Sequence, residues 1–171
     1  MSRGDAATIE LLILDVDGVL TDGRIIYDDA DREIKAFSAK DGAGLKYWHR
    51  AGKRTVLLTG RQSPIVDRRG AELGVHAVRQ GALVKLPVFH EILAQLGVPP
   101  EKTAYVGDDL PDIPPMRECG LAIAVADAVD EVKAISDWVA PHAGGCGAVR
   151  WAIERLLKAA GQWAAILERY E

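Results

Sequence analysis

Short, nearly continuous apolar runs punctuate the chain: Ile9–Leu14 (IELLIL), Thr55–Leu58 (TVLL), Ala104–Val106 (AYV) and Leu121–Val125 (LAIAV). Runs of this length without alternation predict strands buried on both faces. Val75–Val78 and Trp138–Val139 repeat the pattern in weaker form. Helical patterns fill the gaps near Gly44–Ala51, Pro64–Leu73, Lys85–Leu96 and Pro111–Cys119. The last helix has the clearest periodicity. Val149, Ala152, Ile153, Leu156 and Leu157 recur at spacings of three and four, and Arg150, Glu154, Arg155 and Lys158 occupy the other face.

Alternation of strand and helix predicts an α/β fold, a Rossmann-like parallel sheet with helices on both faces. In such sheets ligands bind beyond the carboxyl ends of the strands. One segment breaks the alternation. Residues 24–37 (RIIYDDADREIKAF) read as two short strands around the acidic turn Asp28–Asp31, a β-hairpin inserted after the first strand. There is no internal repeat, low-complexity tract or linker, so the expectation is a single domain over residues 1–171. The tail, 161–171, carries apolar residues without a clear helix cap.

Composition narrows the classes. The chain has 171 residues, 49% of them hydrophobic and 27% charged, which excludes wholesale disorder. Lys and Arg number 21 against 25 Asp and Glu, a formal charge of −4. A nucleic-acid binder driven by electrostatics needs a basic excess, so no nucleic-acid partner is expected. Two cysteines, Cys119 and Cys146, cannot build a disulfide framework, and the four histidines lack metal-ligand spacing. The first apolar run is too short for a signal peptide or a membrane span of about 20 residues, which predicts a cytoplasmic protein with no membrane association.

The candidate chemistry lies at the ends of the predicted strands. Asp15-Val16-Asp17-Gly18 directly follows the first apolar run. Two carboxylates leaving one strand end repel each other, and a hard cation such as Mg²⁺ relieves that repulsion. A plain Asp-Gly turn is the structural alternative. A second acidic group, Gly107-Asp108-Asp109-Leu110-Pro111-Asp112, follows the third strong run. The two groups together would form one metal site; otherwise Asp109 or Asp112 simply caps a helix. Thr59-Gly60-Arg61 ends another run and offers a hydroxyl, a backbone N–H and a guanidinium to an anion. Lys85 opens a helix bearing Leu86, Phe89, Leu93 and Leu96 on its apolar face. The helix dipole opposes a cation there, and a neighbouring negative group would explain it; a surface lysine is the alternative.

Read together, Asp15-x-Asp17, Thr59, Lys85 and Gly107-Asp108-Asp109 with Asp112 resemble the haloacid dehalogenase superfamily of phosphatases. DVDGVLTDGRI, KDGAGLK, TGRQSPIV, YVGDDLPD and GGCGAVR extend the resemblance, over about residues 9–158, to the 3-deoxy-D-manno-octulosonate (KDO) 8-phosphate phosphatases. The resemblance implies a catalytic set of Asp15, Asp17, Thr59 and Lys85. Asp15 would be the nucleophile that becomes an aspartyl-phosphate. Asp17 would protonate the leaving sugar oxygen and then activate water. Asp15, the backbone carbonyl of Asp17 and Asp108 would hold Mg²⁺. Thr59 and Lys85 would bind the phosphoryl group, and Asp109 and Asp112 would support the metal and Lys85 from behind.

The intervals between these motifs leave no room for a cap domain of about 50 residues or more, so the monomer's site should be open and capless. The resemblance implies a homotetramer whose hairpins assemble and whose neighbouring subunits cover each site. A two-stranded hairpin cannot bury both faces alone, in keeping with that role. Arg61 suits a sugar acid of eight carbons. The related nonulosonate 9-phosphate phosphatases tend to carry glutamate there and are the second reading. Cys146 replaces the usual basic residue of the Gly-Gly-x-Gly loop, and Trp151 replaces an acidic residue. That loop and Arg150 either approach a site or form a turn that caps the last helix. Two readings from other classes compete. A response-regulator receiver domain needs an aspartate where Thr59 stands. A catalytically silent interaction module would not need the complete catalytic set.

Overall fold

The computed structural model describes residues 4–170. The expected domain and tail therefore include four positions, 1–3 and 171, that lie outside the described residues. Eight strands are described: β1 (Leu11–Leu14), β2 (Ile26–Tyr27), β3 (Glu33–Ile34), β4 (Arg54–Leu58), β5 (Ala77–Arg79), β6 (Thr103–Gly107), β7 (Leu121–Ala124) and β8 (Trp138–Val139). Six of them form one parallel sheet in the order β5-β4-β1-β6-β7-β8. The strand expected to begin at Ile9 begins at Leu11, and all four of its residues are buried.

The helices are α1 (Ala39–Arg50), α2 (Pro64–Leu73), α3 (Lys85–Leu96), α4 (Ile113–Glu118), α5 (Asp130–Ile135), α6 (Ala148–Ala159) and α7 (Trp163–Leu167). The chain steps outward from β1 through β4 to β5, then returns across the sheet to β6 and continues to β8. Right-handed crossovers place α1 and α2 on one face and α3, α4 and α5 on the other. The packing agrees: α1 meets α2 and α6, whereas α4 meets α3 and α5.

Local chemistry sets the boundaries. α2 starts where Ser63 accepts from the Ile65 N–H, with Pro64 at its first position, and ends at Gly74 in the left-handed region. α1 starts at Ala39, five residues before the expected Gly44, because the Ser38 side chain caps it. Two glycines in its first turns hide that start from a propensity reading. The helix expected over Pro111–Cys119 is shorter. Residues Leu110–Asp112 form a 3₁₀ turn behind Asp109, and α4 proper begins at Ile113. α5 and α7 were not anticipated. α7 is held by Ile166, which is buried, and by an edge-on contact of Trp163 with Tyr47.

The insertion after β1 is the antiparallel pair β2–β3, with Ile26 opposite Ile34 and Tyr27 opposite Glu33. No described helix is long and apolar enough to cross a membrane.

Candidate active site

Register brings the motifs together. Leu14 of β1 lies level with Leu57 of β4 and Val106 of β6, so the residues that follow all leave one edge of the sheet. β1 sits at the reversal of strand order, where a crevice opens between diverging connections. Asp15, Asp17, Thr59, Gly60, Arg61, Lys85, Asp108, Asp109 and Asp112 all line one cavity of about 180 Å³ there.

Lys85 is buried rather than superficial. Its Nζ lies 3.0 Å from Asp15 Oδ1 and 2.6 Å from Asp112 Oδ1. Burial pulls the Lys85 pKa down, but the two carboxylates outweigh it and the net shift is upward. These partners offset the unfavourable helix dipole that the sequence pointed to. Asp112 is fully engaged. Oδ1 also accepts from the Tyr105 hydroxyl at 2.8 Å, and Oδ2 accepts from the Asp108 N–H at 3.1 Å and the Asp109 N–H at 3.4 Å. One buried carboxylate thus fixes both the lysine and the loop that carries Asp108. The Asp109 side chain instead accepts from Leu110 N–H and caps its own turn.

Ligand atoms of Asp15, Asp108 and Asp112 lie within 4.8 Å of one another. Burial first, then the charge of Asp112, pushes the Asp15 carboxyl up to about 6. Burial first, then Asp15 and Asp112, pushes Asp108 up to about 8. Asp108 Oδ1 is buried without a hydrogen bond, and Asp15 Oδ1 is buried beside the Lys85 ammonium. Closely spaced buried carboxylate oxygens, one of them without a partner, fit a hard divalent cation, which would neutralise the charge that burial penalises. The Asp17 side chain stands outside this cluster.

Two glycines permit the close packing. Gly18 has φ +92°, and a Cβ there would lie 2.0 Å from Asp108 Oδ2. A Cβ on Gly144 would lie 1.8 Å from the Gly18 carbonyl oxygen, and the Gly145 N–H donates to the Val19 oxygen at 2.9 Å. The glycine loop therefore leads into α6 and also buttresses the loop bearing Asp17. Arg150 does not approach the site. Its Nε meets Glu154 at 2.6 Å, and its guanidinium lies over the Tyr47 ring.

Thr59 is buried, and its Oγ1 accepts from Arg61 N–H at 3.3 Å. Arg61 reaches toward the hairpin, with Nη2 3.2 Å from Glu33 Oε1 and Nε 3.8 Å from Asp17 Oδ2. Sequence reasoning missed Lys35, which is buried against Asp17. The signal available was a lysine amid a hairpin strand, and its pattern gives no hint of burial.

Comparison with known proteins agrees with this geometry. Residues 39–120 match the family model for haloacid dehalogenase-like hydrolase. The chain is 44% identical over 157 residues to the 3-deoxy-D-manno-octulosonate 8-phosphate phosphatase KdsC of Escherichia coli (strain K12), covering 92% of this chain and 84% of that protein. The crystal structure of the Moraxella catarrhalis phosphatase of the same name, in complex with magnesium ion, phosphate ion and KDO, superposes with a TM-score of 0.95 at 40% identity. It covers 98% of this chain and 96% of that one. The cobalt-bound Haemophilus influenzae phosphatase gives a TM-score of 0.91 at 41% identity, with 94% of each chain covered. Identity at this level over nearly the full length, with the same fold, places the chain in the haloacid dehalogenase-like hydrolases, within the family of 3-deoxy-D-manno-octulosonate 8-phosphate phosphatases.

Proposed function

We propose that the chain hydrolyses the 8-phosphate of the eight-carbon keto-sugar acid KDO, releasing phosphate, in a Mg²⁺-dependent reaction. The observation that carries this reading is the convergence of Asp15, Lys85 and Asp108 in one small cavity. Mg²⁺ would be held by Asp15, Asp108 and the Asp17 carbonyl, and when bound it offsets negative charge on the phosphoryl oxygens.

This chain's own residues supply the remaining steps. An Asp15 oxygen attacks phosphorus, and the bond from phosphorus to the sugar oxygen breaks. Asp17 gives its proton to that leaving oxygen. In the second half-reaction it takes a proton from the water that cleaves the aspartyl-phosphate. Thr59 Oγ1 and Lys85 Nζ bind the equatorial oxygens, where charge spreads during transfer. Asp112 holds Lys85 in place, and Asp109 shapes the loop. Gly60 and Arg61 face the substrate, with Arg61 suited to a carboxylate. Preference for the eight-carbon over a nine-carbon substrate rests on Arg61.

The working unit we infer is a single capless domain in a cytoplasmic homotetramer. The exposed apolar residues Ile25, Ile26, Tyr27 and Ile34 on the hairpin support the assembly.

Phosphate release from KDO 8-phosphate, with Mg²⁺ and with EDTA, tests the activity. Turnover should require Mg²⁺ and vanish in Asp15→Asn. A kcat/KM more than tenfold higher on a nine-carbon keto-acid 9-phosphate would overturn the substrate assignment.

A further inference from the structure

The β2–β3 hairpin is largely exposed, yet the Lys35 side chain just after β3 is only 1% exposed. Lysine is rarely buried so completely without a charged partner. Lys35 Nζ donates to Asp17 Oδ1 and lies 3.3 Å from Glu33 Oε1. Arg61 spans the same two carboxylates from the other side, at 3.8 Å from Asp17 Oδ2 and 3.2 Å from Glu33 Oε1. Two cations and two carboxylates therefore alternate around a closed ring that joins the hairpin to the loops after β1 and β4.

The ring treats the two oxygens of Asp17 differently. Oδ1 is tied to Lys35, whereas Oδ2 is buried, makes no hydrogen bond and has the Arg61 Nε as its neighbour at 3.8 Å. Asp17 lines the substrate cavity, and Lys35 is not among its lining residues. Asp17 also stands apart from the three clustered carboxylates, Asp15, Asp108 and Asp112. Lys35 thus anchors the Asp17 carboxyl group at the cavity wall, apart from that cluster.

We propose that Lys35 is a positioning residue for proton transfer: it fixes the Asp17 carboxyl group at the cavity wall, where that group meets the leaving oxygen of the phosphate ester. The inference rests on the phosphatase reading, though not on the identity of the sugar. The step it serves is balanced. Asp15 forms a bond to phosphorus, the bond from phosphorus to the leaving oxygen breaks, and that oxygen keeps the electron pair and receives the Asp17 proton.

Leaving-group acidity provides a readout that a purely structural role would not move. p-Nitrophenolate departs without protonation, whereas p-methoxyphenolate and sugar alkoxides depend on it increasingly. With saturating Mg²⁺, kcat/KM for K35M should fall less than about threefold on p-nitrophenyl phosphate. The loss should widen along an aryl phosphate series, reaching about 10- to 1,000-fold for KDO 8-phosphate, the range expected when acid catalysis is impaired. K35R should recover most of it. A loss of equal size on every ester overturns the proposal, whether it comes from misfolding or from weaker metal binding. So does no loss at all, or K35R behaving like K35M. Wild-type failure on KDO 8-phosphate would sink the substrate reading alone, because the aryl series still decides the role of Lys35.

Discussion

Asp15 and Asp108 carry their raised pKa values into the folding equilibrium. Their ordinary value is 3.8, and in the metal-free fold they titrate near 6 and 8. The native state therefore binds these protons more tightly than the unfolded chain does. That contribution is complete below about pH 4 and is lost as pH rises through 6 and then 8. Mg²⁺ competes with the same protons, so its stabilising effect should grow over the interval in which theirs disappears. Thermal melts in EDTA should show Tm falling from pH 5.5 to 8.5, with the Mg²⁺-induced rise in Tm larger at 8.5. A Mg²⁺ shift that stays constant across this range would contradict the assignment of these carboxylates to the metal. The residues concerned were legible in the sequence because each comes at the end of a short apolar run that reads as a buried strand, Asp15 at once and Asp108 after Gly107. Asp112 was legible as the last member of the acidic group after that run, although the saturation of its four contacts was not. Lys35 escaped because its burial comes from a hairpin folding back over the sheet edge, and nothing in its neighbours encodes that contact.

At the scale of elements, α1 and α6 are joined by a buried charge. The Asp41 carboxylate on α1 accepts from Gly147 N–H at 3.2 Å and from Arg150 N–H at 2.7 Å, which satisfies donors at the start of α6. Burial raises the Asp41 pKa despite these bonds. α6 has no side-chain cap of its own, since its cap residue is Gly147. Asp41→Ala should therefore lower stability by about 1–3 kcal/mol, the cost of stranding buried donors, and Asp41→Asn by less. Urea unfolding of the three proteins, with the m value checked for constancy, measures this directly. The contact also explains which elements the sequence disclosed. α2 and α3 were legible end to end because periodicity and local stop signals coincide at their boundaries. The first turn of α1 was not, because Gly42 and Gly44 weaken helix propensity locally. Gly44 serves packing between helices: a Cβ there would come within 3.0 Å of Arg150 Cδ. α7 was hidden for a related reason, since its short segment is held by Tyr47 on α1 rather than by its own caps.

For the whole molecule, the question is what covers a small open cavity. The parallel sheet and its strand-end site were readable from alternation and motif order. The hairpin was readable as a hairpin, but its contacts divide in two. Glu33 and Lys35 turn inward to Asp17 and Arg61, whereas Ile25, Ile26, Tyr27 and Ile34 remain exposed. An isolated two-stranded ribbon is at best marginally stable in water, and clustered exposed apolar side chains mark an association surface. Association through that face would hold the hairpin, and with it the ring around Asp17, over the cavity. Charge at its centre should undo both effects. Ile26 and Ile34 are cross-strand partners, so Ile26→Lys with Ile34→Lys sets two cations side by side and disfavours assembly through repulsion and desolvation. Sedimentation at micromolar concentration should then shift from the proposed tetramer to the monomer. kcat/KM on KDO 8-phosphate should fall at least tenfold, while p-nitrophenyl phosphate, which needs neither a covered site nor a placed acid, should lose much less. A wild-type chain that already sediments as a monomer, or a monomeric variant with undiminished activity on the sugar phosphate, would show that the hairpin completes the site within its own subunit.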